Sequence, residues 1–75
     1  MSVARPIRIA PTTLDMALRE LARQGGITVI TTDDRLRRVR TPALIADMPP
    51  ARALRLLLRG TGYRAVAIDD ESFRI

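Results

Sequence analysis

The strongest constraint on this chain is that it repeats itself. Ile9, Ala17-Leu18, Leu21 and Gly26 return 36 residues later as Ile45, Ala53-Leu54, Leu57 and Gly62. Each copy is ordered as apolar strand, helix, glycine, strand. Two copies are too few for a solenoid, whose units bury their faces on a series of neighbours, so the halves are expected to pack on each other. With 75 residues, 47% of them apolar, the chain is expected to form one small domain over residues 1–75, with enough apolar surface to fold without a metal.

Composition removes much of enzyme chemistry. The sequence has no cysteine, histidine or tryptophan, so disulfides, thiolate or imidazole metal sites and the common nucleophile–base pairs are excluded. No cofactor is expected. All 13 basic residues are arginine, and against eight acids they give a net charge of +5. That balance suits an acidic protein partner, nucleic acid or anionic lipid. The absence of lysine is read first as the mark of a GC-rich coding genome. No stretch approaches the roughly 20 apolar residues of a membrane span, so direct membrane insertion is not expected. Met1-Ser2-Val3 leads into no apolar signal core, so export would need a leader that this sequence lacks.

Local patterns place the elements. Arg5 to Ala10 alternates around Ile7 and Ile9 with the period of a half-buried strand, and Pro6 assigns it to a sheet edge. Thr12 with Asp15 resembles a capping box ahead of a helix from Thr13 to Gln24, whose stripe is Leu14, Ala17, Leu18, Leu21 and Ala22. Gly25-Gly26 supplies positive-φ residues at its end, and Ile27 to Thr31 reads as a β-branched strand. Thr32 to Arg40 is a charged connection held down by Leu36 and Val39, and Thr41 to Ala46, with Pro42 and then Leu44-Ile45, suits a brief edge strand that opens the second unit. Asp47-Met48-Pro49-Pro50 stops that strand and opens the second helix. Ala53, Leu54, Leu57 and Leu58 form its core stripe, and Leu56, roughly opposite Leu54, predicts burial on a second side. Arg52, Arg55 and Arg59 make a basic row on what remains. After Gly60-Thr61-Gly62, Tyr63 to Ile68 and Phe73 to Ile75 read as a hairpin around Asp69-Asp70-Glu71-Ser72. Each half is compatible with a βαβ unit; whether its two strands share a sheet cannot be read from periodicity.

Ile9-Ala10-Pro11, Leu14-Asp15, Ala17-Leu18, Leu21-Ala22, Gly26, Asp33, Leu36, Ala53-Leu54, Leu57-Leu58, Gly60-Thr61-Gly62-Tyr63 and Phe73-Arg74-Ile75 follow in an order that resembles the secretin and TonB short N-terminal domain. The similarity is strongest to the N-terminal signalling domain of TonB-dependent outer-membrane receptors of the ferric-citrate and ferric-siderophore type. It implies an α+β fold of two βαβ-like halves, βαβ then βαββ, with two helices sandwiched between two small β-sheets. It also implies a non-catalytic periplasmic module that engages a membrane-spanning anti-sigma regulator and belongs to an outer-membrane barrel. A related domain stands at the periplasmic entrance of secretin-type export channels, which is the alternative; a small basic RNA-binding domain is a more distant one. The chain departs from the family in Pro49-Pro50-Ala51-Arg52, which lacks an acidic first helical turn, and in Met48, where an aromatic residue is common.

The acids Asp33-Asp34 and Asp69-Asp70-Glu71 fall in predicted turns and lack the ligand spacing of a calcium loop. Gly60-Thr61-Gly62 follows a helix, whereas phosphate cradles precede one, so it is read as a C-cap. The densest basic cluster, Arg35, Arg37, Arg38 and Arg40, has no aromatic residue beside it, which weighs against nucleic acid. With Leu44 and Asp47 on the neighbouring edge strand, these arginines are the expected partner-binding residues, because a short edge accepts strands from other chains.

Overall fold

A computed structural model describes residues 3–75. Strand β1 (Arg5–Ile9) buries Ile7 and Ile9 and exposes Arg5, Pro6 and Arg8. The two-residue strand β2 (Thr12–Thr13) leads into helix α1 (Leu14–Gly25). Its cap is Thr13 rather than the expected Thr12. Thr12 pairs with Thr41 of β4 (Arg40–Thr41) and its carbonyl accepts from the Thr41 hydroxyl at 3.1 Å, so its backbone is committed to a ladder. The Thr13 hydroxyl donates to the Asp15 carboxylate, and the Leu14 amide donates across to the Val39 carbonyl at 2.7 Å. The helix start is therefore satisfied by a distant segment of chain instead of a capping box.

The glycine pair at the other end divides the work. Gly26 takes the left-handed conformation at φ 66°, and its amide and that of Ile27 both donate to the Ala22 carbonyl. Gly25 is helical and buried; a Cβ there would come within 2.8 and 2.9 Å of the Pro50 ring. It is needed for close approach of α1 to the start of α2 (Pro50–Leu58). Pro50 in the first turn of α2 loses no helical hydrogen bond, and the Pro49 carbonyl accepts from Arg52 and Ala53.

The remaining strands are β3 (Thr28–Ile30), β5 (Leu44–Met48), β6 (Val66–Asp69) and β7 (Ser72–Arg74), and a short 3-10 turn spans Asp34–Arg38. Strand β5 extends through Met48, past the expected end at Ala46. Strand β6 starts at Val66, not Tyr63, because its ladder begins opposite Arg74 and Tyr63 bonds elsewhere. The hairpin β6–β7 forms as expected.

Pairing runs between the halves. Strands β1 and β5 are antiparallel, with Ile7 opposite Ala46 and Ile9 opposite Leu44; β3 is parallel to β7, with Val29 opposite Phe73. The mixed sheet has the order β3-β7-β6. In neither half do the strands flanking the helix share a sheet, so the parallel crossover left open by the sequence does not form within a half. The result is a compact α+β fold with two helices and small mixed and antiparallel sheets.

Ile7, Ile9, Leu14, Leu18, Leu21, Leu36 and Leu54 are the largest fully buried side chains, joined by Ala17, Ala53, Leu57 and Leu58. Val29, Leu44, Met48 and Phe73 reach this same core from the two sheets. Each buried leucine or isoleucine contributes about 1.5–3 kcal/mol of transfer free energy. One expectation fails here: Leu56 is 41% exposed. Its side of α2 is left uncovered by β6, all four residues of which are exposed.

Candidate interaction surface

The expected docking segment is anchored at both ends of the 3-10 turn. Leu36 is buried under it, and the Val39 carbonyl caps α1. Asp33 opens the turn by accepting from the Arg35 amide at 2.9 Å, and its carboxylate also receives the Arg35 guanidinium through Nη2 at 2.9 Å. The Tyr63 hydroxyl donates to the same carboxylate at 3.1 Å. The Arg35 side chain beside Asp33, then the Arg35 amide, hold this carboxyl at about 2, with Tyr63 adding to the effect. Tyr63 moves the other way: burial and donation to Asp33 raise its pKa. The Asp33–Tyr63 bond joins the basic turn to the chain that follows α2.

The six expected partner-binding residues therefore differ in availability. Arg35 is exposed but engaged by Asp33, and Arg37 donates weakly to the Asp34 carbonyl at 3.4 Å. Arg38 and Arg40 make no ion pair among the described residues. Leu44 is half-buried on the core side of β5, and Asp47 is exposed on its outer side beside Ile45, which is 66% exposed. The arginines of the turn and the residues of β5 thus stand on two supports, with Arg40 on β4 between them in sequence.

The two edges of the β1–β5 pair are unequal. Gln24 of α1 accepts from the Arg8 amide at 2.7 Å and donates to the Arg8 carbonyl at 2.8 Å, closing the outer edge of β1. Since Arg8 turns its backbone groups away from β5, the antiparallel pattern makes its partner Ile45 turn its own groups away from β1. Pro6 opposite Asp47 obeys the same alternation, so its missing N–H costs no ladder bond. Among the described residues no hydrogen bond outside the ladder involves Ile45 or Asp47, and none of them covers this edge of β5.

Sequence reasoning noted the basic row on α2 but did not assign it to a site. In the structure Arg52, Arg55, Leu56 and Arg59 form a wall of a cleft of about 810 Å³ between α2 and β6. Leu56 and Arg59 also border a smaller cleft of about 180 Å³ beside Arg40 and Leu44. The readable signal was an arginine row without a single acid between Met48 and Ala67. Among the described residues no group of three or more potential ligands is placed to hold a metal, and no helix is long and apolar enough to cross a membrane.

No family model matches the sequence, and no curated protein matches it. Solved structures do. The ferripyoverdine receptor of the outer membrane of Pseudomonas aeruginosa, bound to ferripyoverdine, is 30% identical over 95% of this chain with a TM-score of 0.83. This chain resembles a domain of an outer-membrane receptor. The same receptor, FpvA, in complex with a heterologous pyoverdine gives a TM-score of 0.80 at 30% identity over 95% of the chain. In the FpvAI–pyocin S2 complex the values are 0.83 and 30% over 93%. The chain spans only 9% of the length of each of these FpvA chains.

Proposed function

We propose that this chain is the non-catalytic periplasmic signalling domain of a TonB-dependent transducer, a short N-terminal domain of the secretin and TonB type spanning residues 1–75. It engages the periplasmic part of an inner-membrane anti-sigma regulator and so couples ligand uptake at the parent barrel to transcription. The observation that carries this reading is 30% identity over 95% of the chain to a segment of a ferripyoverdine receptor. The open edge of β5 supplies a surface suited to the task. Ile45 and Asp47 offer unpaired backbone groups to an incoming strand, and Arg37, Arg38 and Arg40 offer positive charge close by in sequence.

The test is titration of the 75-residue chain with the periplasmic part of the co-encoded anti-sigma regulator, followed by amide NMR. Saturable shifts confined to residues 33–47 are expected. Charge reversal at Arg37, Arg38 and Arg40 together weakens binding while changing stability by no more than about 0.5 kcal/mol, since all three are exposed. Absence of shifts at high concentration overturns the signalling assignment in favour of the secretin alternative; unchanged affinity in the triple variant overturns the surface.

A further inference from the structure

The cleft between α2 and β6 has the character of an unfinished core. Ala67 lies opposite Phe73 and shares its inward face, yet it remains exposed and lines the cleft across from α2. The floor is apolar, formed by Leu54, Leu58 and Phe73, and Leu56 stands exposed on the helix side. Its volume of about 810 Å³ is in the range that accommodates several side chains of a ligand. The rim has one sign of charge. Arg52, Arg55, Arg59 and Arg64 line the cleft, no acidic residue does, and none of the four forms a salt bridge among the described residues. Arginines three and four apart on one helix repel each other, a cost that no neighbouring carboxylate offsets here.

We infer that this cleft is a second docking site, for an acidic peptide segment of another protein that inserts apolar side chains between α2 and β6 and sets carboxylates against Arg52, Arg55, Arg59 and Arg64. Charge complementarity selects an anionic occupant, and the bidentate fork of arginine suits carboxylates. The recessed apolar floor selects a peptide among anions. A lipid surface meets the rim without filling the floor. The only rings, Tyr63 and Phe73, are half-buried, so stacked bases lack an exposed platform. This site does not depend on the signalling reading, and its test reports on residues other than 33–47, so either proposal can fail alone.

The experiment uses the 75-residue chain and a ten-residue peptide of repeating Glu-Leu-Ser, blocked at both ends. Amide NMR should show saturable shifts over residues 51–67 and at Phe73. The same peptide with glutamine for glutamate should lose them, and the Arg55→Glu, Arg59→Glu double variant should bind about tenfold more weakly at an unchanged melting temperature. Ala67→Leu occupies part of the apolar floor without touching the rim and should also weaken binding. Shifts that persist with the glutamine peptide overturn the inference, as does full affinity in Ala67→Leu. Equal responses of residues 51–67 to phosphatidylglycerol vesicles or to a thymidine decanucleotide overturn it too, since they would show a general polyanion surface.

Discussion

Asp33 holds three groups at once: the Arg35 amide, the Arg35 guanidinium and the Tyr63 hydroxyl. Its carboxyl lies at about 2 in the folded chain, below the ordinary aspartate value near 3.9. The unfolded chain therefore takes up this proton first on acidification. The stabilisation is fully present above the unfolded value and disappears as pH falls through about 2. Carboxyl-carbon NMR should place the Asp33 midpoint near 2, and Asp33→Asn should flatten the acid limb of the stability profile. Gly25 tests a different constraint. Because an added methyl would stand 2.8 Å from Pro50 Cβ, Gly25→Ala should destabilise by about 1–3 kcal/mol in urea unfolding, despite the better helix propensity of alanine.

At the scale of elements, the telling contact is that of α1 with β1. Gln24 replaces a neighbouring strand for Arg8, and its side chain also donates to Glu20. Gln24→Ala should cost about 0.5–1.5 kcal/mol in thermal or chemical unfolding, the usual net value of such bonds, and leave Arg8 amide exchange unprotected. A variant with protected Arg8 would show that β1 finds another partner. On the second helix, the uncovered side bearing Leu56 borders both clefts, so α2 presents one ridge to two grooves. Its core side is unaffected by this, since Ala53, Leu54, Leu57 and Leu58 all remain buried.

For the whole molecule, the ladders that cross between halves decide cooperativity. Strand β1 pairs with β5 and β3 with β7, so the first half keeps no strand pairing of its own and the second keeps only the β6–β7 hairpin. Fragments 3–39 and 40–75 should each be unfolded alone by circular dichroism and should recover structure when mixed, with β2 and β4 re-forming as well. Independent folding of either fragment would contradict the interlocked arrangement. A second cross-link, the Tyr63–Asp33 bond, ties the basic turn in one half to the exit of α2 in the other.

The sequence by itself determined both helices, their buried stripes, the Gly26 stop, the terminal hairpin and the α+β class, because each follows from local periodicity or backbone preference. Ala17, Leu18 and Leu21 are buried, as are their repeats Ala53, Leu54 and Leu57. The repeat misleads at one place: Ile9 is buried but Ile45 is 66% exposed, and Leu44 takes the inward position opposite Ile9. A strand has a side-chain period of two, so a one-residue offset reverses the face, and only pairing with β1 sets that register. The same holds for the candidate surfaces. Arginine spacing revealed two basic groups, but which edge is open, that Tyr63 joins Arg35 at Asp33 and whether Leu56 is covered depend on contacts between residues far apart in the chain. Those contacts exist only once the two halves exchange strands.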